Sequence, residues 1–491
     1  MNNNGLVYGV HDKPGLWKTI VFALQQVLAI LAATIVVPVI INGNTAKLFA
    51  EGKLAFVSNM SQSAALLGAG CGTLVYLCFT KFKSPVFLGS SFAFLGSMTA
   101  AFAGAASAAA GYLGLVIGAI MAGLVYVVIA IIVKFAGVEW INKIMPASVV
   151  GPTVAVIGLS LAGNAVGDLT KGSVMTVVKG ALVPTASPYV ALICGLVTLG
   201  TVIFCSVYGK KMMKIIPFII GIIAGYLVAT IFTVIGIAAN VPALQVINFG
   251  LFANMQWLPD FTFVEAFKGF NSLGDFGAYL LTVFVAYVPV AFVVFAEHLA
   301  DHKNISSIIG TDLTVDPGLH RTLLGDGVGS MVGAFFGGCP NTTYGESVGC
   351  VAISGNASVV TIFTAAIICI LAAFFAPFVT LLATIPSCVM GGVCFTLYGF
   401  IAVSGLKMIQ KVDLNKNYNL FTVSVILIAG VGGMTLNFGQ VTITSVACAL
   451  ILGILTNVLT SKAAKKDANP EEVKAEETAS VEAEVAATTE E

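Results

Sequence analysis

The segment Gly337-Gly-Cys-Pro340-Asn-Thr-Thr-Tyr344-Gly-Glu346-Ser-Val-Gly349 interrupts an apolar stretch with amide, hydroxyl and carboxyl side chains. A second break of the same kind, Pro85-Val-Phe-Leu-Gly89-Ser-Ser-Phe92-Ala-Phe94, lies 255 residues earlier. Ser, Thr, Phe and Tyr favour extended backbone over helix. Within a bilayer, unwound backbone is tolerated only where it is buried in protein or lines a cavity. Two short extended pieces meeting at mid-membrane would therefore present free N–H and C=O groups to a solute. Taken singly, either segment also reads as a small-residue face for close helix packing, but that reading leaves the glutamate at the end of the second segment unexplained.

The membrane setting comes from composition. Of the 491 residues, 58% are hydrophobic and 9% charged, whereas soluble domains carry roughly 25% charged residues. The chain reads as a polytopic membrane protein embedded in the lipid bilayer. Its first apolar stretch, 17–41, is longer than a signal-peptide core, has no small-residue cleavage site after it and reads as a retained span. The ten cysteines, Cys71, Cys205, Cys339 and Cys350 among them, lie almost all in apolar stretches without metal-ligand spacing. They read as packing residues, with no metal, disulfide or other cofactor implied.

At about 20 apolar residues per span, the chain divides into fourteen segments. Eleven are clear, near 17–41, 54–79, 110–135, 139–163, 187–207, 214–238, 276–299, 359–384, 386–406, 418–436 and 441–460. Three, at 86–104, 322–338 and 342–357, are short or rich in Gly, Ser and Pro. Cytoplasmic loops collect Lys and Arg. With both termini cytoplasmic, eighteen of the 23 basic residues fall inside, all but Lys47, Lys53, Lys171, Lys179 and Lys268.

The two halves echo each other. Pro146-Ala-Ser-Val-Val-Gly151 resembles Pro386-Ser-Cys-Val-Met-Gly391 at a separation of 240 residues, comparable to the 255 between the two polar breaks. Halves of seven segments insert with opposite orientation. This is the inverted-repeat plan of secondary transporters, whose binding sites lie at such interrupted segments. The expected fold is an all-α polytopic membrane protein of two seven-segment inverted repeats, with short extended strands in segments 3 and 10.

A carboxylate inside a span costs at least about 2.5 kcal/mol and marks a solute or proton pathway by default. Two meet that description: Glu346, and Glu297 in Val288-Pro-Val-Ala-Phe-Val-Val-Phe-Ala-Glu297-His-Leu-Ala-Asp301-His302. Glu346 also has a plainer reading as a cap at a half-helix N-terminus, where the dipole favours a carboxylate. His298 follows Glu297 directly and so points to another helix face, as a packing residue. Asp301 and His302 fall at the cytoplasmic end of the span, where they also read as simply solvated, and Asp326 has no assigned role beyond helix contact. A channel would need a ring of filter groups and an enzyme a nucleophile–base pair or metal ligands; the sequence supplies neither. Residues 461–491, rich in Ala and Glu and lacking aromatics, have the composition of a disordered tail.

Taken together, Gln25-Gln26 with Pro38, Gly89-Ser-Ser-Phe-Ala-Phe94, Ala296-Glu297-His298, Asp316-Pro-Gly-Leu-His320-Arg321, Pro340-Asn-Thr-Thr-Tyr-Gly345-Glu346 and Met390-Gly-Gly392 resemble the nucleobase–ascorbate transporter family, in its bacterial uracil permease branch. The resemblance covers roughly residues 10 to 460. It implies a proton-coupled importer with no nucleic-acid partner, arranged as a homodimer. A core domain (1–136 and 241–384) and a gate domain (137–240 and 385–460) are implied as well. Glu297 and Glu346 match the carboxylates that hold a pyrimidine ring, Phe92 and Tyr344-Gly345 match backbone contacts, and Tyr398 matches an aromatic residue on the gate side. Glu297, His298 and Asp301 are the candidates for proton coupling. Some relatives place a histidine four residues after the first glutamate; here that position is Asp301, followed by His302.

The chemistry agrees with this resemblance. Uracil offers two N–H donors and two carbonyl acceptors along a planar edge; a carboxylate can accept from the former and a carboxylic acid can donate to the latter. Because loss of water disfavours the charged form of a carboxylate, one glutamate can carry the coupled proton. Glu297 is assigned that role and Glu346 the ring contact, although the residues alone leave the order open, as they do xanthine or another nucleobase for uracil and sodium for the proton. An anion-exchanger fold is disfavoured, since its pocket would want positive charge and neither break contains Lys or Arg.

Overall fold

In lipid, an apolar segment must satisfy its own backbone hydrogen bonds, so helices dominate. The computed structural model describes residues 6–467, except 138, 179–180, 211, 256, 273–275 and 439–440. In chain order its principal elements are α1 (Leu16–Ala50), α2 (Gln62–Phe79), β1 (Leu88–Ser90), α3 (Leu95–Ala103), α4 (Ala108–Ala136), α5 (Ala147–Ser160), α6 (Pro188–Tyr208) and α7 (Pro217–Ala238). There follow α8 (Phe276–Ile309), α9 (Leu319–Gly337), β2 (Asn341–Thr343), α10 (Gly345–Ser354), α11 (Val359–Ala373), α12 (Ala376–Ala383), α13 (Ser387–Ile409), α14 (Asn417–Val431) and α15 (Ser445–Asp467).

Among the described residues, eight helical stretches are long and apolar enough to cross a membrane, or nine if α11 and α12, bent by 81°, form one span. The sequence reading expected fourteen segments. The difference falls largely where the chain is broken. Segments 86–104 and 342–357 each run as a three-residue strand followed by a short helix, α3 or α10. The Gly-rich α9 carries Arg321 and Asp326, while α14 and the apolar part of α15 are shorter than a full span. The expected tail over 461–491 begins later, because α15 continues to Asp467; residues 468–491 lie outside the described residues.

Helix α2 packs against α9 and α11, and α4 against α9 and α8; α13 packs against α5 and α6, α6 against α7, and α14 against α15 and α5. The α2–α9 contact depends on glycine. A Cβ at Gly72 would stand 2.7 Å from the Gly329 carbonyl oxygen, too close for two atoms that do not bond. Away from these contacts, Leu196, Phe204 and Val207 on α6 and Ile223, Leu227 and Ile231 on α7 are exposed, as lipid-facing rows of a spanning helix must be. The interior closes around the polar breaks: Phe87 and Phe94, on either side of β1, are fully buried, and Phe94 stacks on Tyr287 of α8 at 5.5 Å.

Candidate functional site

Both polar breaks are extended, and they pair with each other. Strands β1 and β2 run antiparallel, with Leu88 opposite Thr343, Gly89 opposite Thr342 and Ser90 opposite Asn341. Six residues give few ladder bonds, so neighbouring side chains complete the set. Thr73 of α2 accepts from Leu88 N–H at 3.0 Å, Ser347 accepts from Phe87 N–H at 3.0 Å and from the Gln26 amide, and Asn341 donates to the Gly68 carbonyl at 3.0 Å. The Tyr344 hydroxyl donates to the Ser90 carbonyl at 2.7 Å, which lays its ring across Gly89. Any larger residue at 89 would meet that ring. Helix α10 starts directly after β2 and places Glu346 in its first turn, where unsatisfied N–H groups favour negative charge.

Glu346, Gly345, Glu297 and Asp301 line one cavity of about 420 Å³. Volumes of this order hold small molecules. Both glutamates are half-buried, enclosed by protein on one side and open to the cavity on the other. Glu297 has no hydrogen-bond or ion-pair partner among the described residues, and the Glu346 side chain meets only its own backbone N–H. Glu297, Ala300, Asp301 and Asn304 all face the cavity, the i, i+3, i+4, i+7 spacing of one helix face. Further lining comes from α5, α7 and α13, through Val154, Phe218, Leu397 and Phe400, and from Lys214.

Asp301 and His302 are buried rather than solvated. The reason is that α8 continues for two more turns, to Ile309, and packs under neighbouring elements. Asp301 accepts from the Thr343 hydroxyl of β2 at 2.9 Å, and His302 Nε2 lies 2.7 Å from the Tyr76 hydroxyl of α2. His298 is fully buried on the side away from the cavity. Its Nδ1 lies 2.7 Å from Asp326 and its Nε2 3.0 Å from Thr322, both on α9.

Phe92 and Tyr398 do not line this cavity. They meet each other edge to face at 5.9 Å, and Phe92 lines a second cavity. Tyr398 is 2% exposed, and its hydroxyl has only the Cys394 thiol beside it. Sequence reasoning missed Asn304, although it stands two turns from Glu297 on the same face, and gave Asp326 no partner. It also missed Lys214, which precedes Pro217 in the chain and reaches the cavity only through the packing of α7; Lys214 makes no ion pair with either glutamate among the described residues. Among the described residues no group of His, Cys, Asp and Glu has the arrangement of a metal site.

Comparison with known proteins follows the same lines. The chain is 36% identical to the uracil permease of Bacillus caldolyticus over 93% of its length and 95% of that protein. It is 34% identical to the uracil permease of Bacillus subtilis (96% and 99% covered) and 35% identical to that of Escherichia coli K12 (91% and 92%). Among solved structures, it resembles murine solute carrier 26 family member A9, an anion transporter in an inward-facing state, with a TM-score of 0.60 and 12% identity over 92% of this chain and 69% of that one. It also resembles the transmembrane domain of the cyanobacterial bicarbonate transporter BicA, with a TM-score of 0.53 and 15% identity over 90% and 98%. These likenesses correct one expectation: the fold is shared with anion transporters. Absence of Lys and Arg from the two breaks bears on what the pocket holds, not on how the helices are arranged. Residues 17–439 match the permease family, and this multi-pass membrane transporter, which is not an enzyme, belongs to the nucleobase–ascorbate transporter family.

Proposed function

We propose that this protein imports uracil across the cytoplasmic membrane by proton-coupled alternating access. The observation that carries the reading is the cavity in which Glu297 and Glu346, two carboxylates without side-chain partners, line the walls beside the β1–β2 pair. A pyrimidine there meets complementary groups at every edge. Glu346 accepts from ring N–H groups, Glu297 in its protonated form donates to a ring carbonyl, and Gly345 opens onto the same space, whereas Tyr344 is buried behind it. Asp301, held by Thr343, sits one turn from Glu297 as the neighbouring acid through which its proton exchanges. The names of the three relatives compared above, each a uracil permease, support the choice of solute.

Residues 1–136 with 241–384 form the core domain, and residues 137–240 with 385–460 the gate. The packing supports this division, because α1, α2, α4, α8, α9 and α11 take most of their partners from one another, as do α5, α6, α7, α13, α14 and α15. Movement of one group against the other exposes the cavity to each side in turn. Both termini are cytoplasmic, a placement supported by the distribution of Lys and Arg over the loops.

The test is uptake of labelled uracil into proteoliposomes under an imposed inward proton gradient, with unlabelled uracil, xanthine and cytosine as competitors. Gradient-driven uptake blocked by uracil alone is the expected result. Competition by xanthine alone overturns the choice of solute, and uptake that follows sodium instead of protons overturns the coupling.

A further inference from the structure

The second cavity, lined by Phe92, encloses about 410 Å³ and shares α1, α5 and α8 with the first, its remaining wall coming from α3 and the start of α15. Asn44 on α1 and Thr282 on α8 line it, and each stands fifteen residues from a residue lining the carboxylate cavity, Ala29 and Glu297 respectively. On α5 the two spaces come within one turn of each other, since Ile157 lines this one and Val154 the carboxylate cavity. Phe92 lines this space, and its ring meets Tyr398, whose neighbour Leu397 lines the carboxylate cavity.

The lining of this second space defines its chemistry. No charged residue contributes among the described residues, so an ion would be left without a partner there. Hydroxyl and amide groups do contribute. Asn44 donates its amide to Thr99 at 3.1 Å, and its carbonyl oxygen has no described partner. Thr444 accepts from the Ala447 N–H at 3.4 Å and keeps its hydroxyl proton to give, and Ser445 has no described side-chain bond. Phe92 supplies an aromatic floor.

We infer that this cavity is a second solute station, occupied by the transported uncharged heterocycle before it passes Phe92 and Tyr398 to the glutamates. The inference rests on the import reading above. Asn44 accepts from a ring N–H, Thr444 and Ser445 donate to ring carbonyls, and the ring lies against Phe92. The site is weak because all its contacts are neutral, and a neutral hydrogen bond contributes less than one to a charged group. A weak outer station releases the solute inward instead of trapping it.

The test uses the full chain in lipid nanodiscs with 5-fluorouracil as the probe, followed by fluorine NMR, together with uracil uptake in proteoliposomes. The wild type is expected to show one tight and one weak bound population. Glu297→Gln/Glu346→Gln should lose the tight population and keep the weak one, whereas Asn44→Ala/Thr444→Val should do the reverse and raise the uptake KM roughly 3- to 10-fold at unchanged maximal rate. Gly96→Leu is the independent check, because its added side chain starts 3.5 Å from Thr444 and fills the same space. A single bound population in the wild type, or an unchanged KM in folded Asn44→Ala/Thr444→Val and Gly96→Leu, overturns the outer station and leaves the import reading intact. Failure of the wild type to bind or transport any pyrimidine overturns both.

Discussion

Thr343 donates its hydroxyl to Asp301 at 2.9 Å, joining strand β2 to the helix that carries Glu297. The two cavity carboxylates stand on elements that share this bond, since Glu346 follows Thr343 by three residues and Glu297 precedes Asp301 by one helical turn. Replacing Thr343 by Val keeps the shape and removes the donor, leaving a buried carboxyl oxygen unsatisfied, at a cost on the order of 1–3 kcal/mol. Lower thermal stability and a raised uptake KM are expected for Thr343→Val, with both restored in Thr343→Ser; melting of the purified protein and uptake kinetics measure the two effects.

The two glutamates should separate by phenotype. Glu297→Gln keeps a hydrogen-bonding group but cannot gain or lose the proton; uracil exchange across the membrane should persist while gradient-driven accumulation disappears. Glu346→Gln replaces half of an acceptor pair with a donor that opposes the ring N–H, so binding itself should weaken by roughly tenfold or more, in line with an unpaired polar contact of about 1–3 kcal/mol. Counterflow and equilibrium binding distinguish the two, and the opposite assignment would exchange the results.

His298 and Asp326 test the polar pair behind the site. They contact each other at 2.7 Å with almost no solvent exposure, and truncating one partner strands the other in an apolar interior. Asp326→Ala and His298→Ala should each lower stability strongly, and the double variant by clearly less than the sum. A double-mutant cycle on melting temperatures reads the coupling; additive effects would mean that the pair contributes nothing as a unit.

The two strands were legible because short runs of Ser, Thr, Phe and Tyr beside Pro85 and Pro340 interrupt two apolar stretches; which residues pair opposite which could be read only from the structure. Glu297 and Glu346 stood out because charge inside a span is rare. What could not be read were relations that only packing creates. Phe92 and Tyr398, on segments about 300 residues apart, contact each other instead of the glutamate cavity. Asp326 on α9 finds His298 on α8, 28 residues away, and Asp301 and His302 are buried because α8 outlasts its apolar run. Apolar windows likewise do not distinguish a continuous helix from a strand and half-helix, which is how segments 86–104 and 342–357 are built.

Not every charged contact should matter. Lys83 and Asp316 approach to 2.6 Å, with side chains 35% and 59% exposed, and exposed pairs contribute about 0–1 kcal/mol. Lys83→Ala should leave uptake unchanged and move stability by no more than that, as a melting curve would show. A large loss of transport would assign this bond a part in the conformational cycle.

The glycine contact between α2 and α9 sets the most severe prediction. A Cβ on Gly72 would lie 2.7 Å from the Gly329 carbonyl oxygen and 2.5 Å from the Asn341 amide nitrogen. The first neighbour is backbone and cannot rotate away; the second anchors β2 to α2 through the Gly68 carbonyl. Adding a side chain here pushes the helices apart and loosens the strand that leads into Glu346. Gly72→Ala should reduce the yield of folded protein, and Gly72→Val should abolish it. The same Ala substitution at Gly43 should be neutral, because nothing stands within 4 Å of a Cβ there. Size-exclusion profiles of detergent-solubilised protein decide between them, and a monodisperse, transport-competent Gly72→Val would show that the α2–α9 separation is not what holds the strand pair in place.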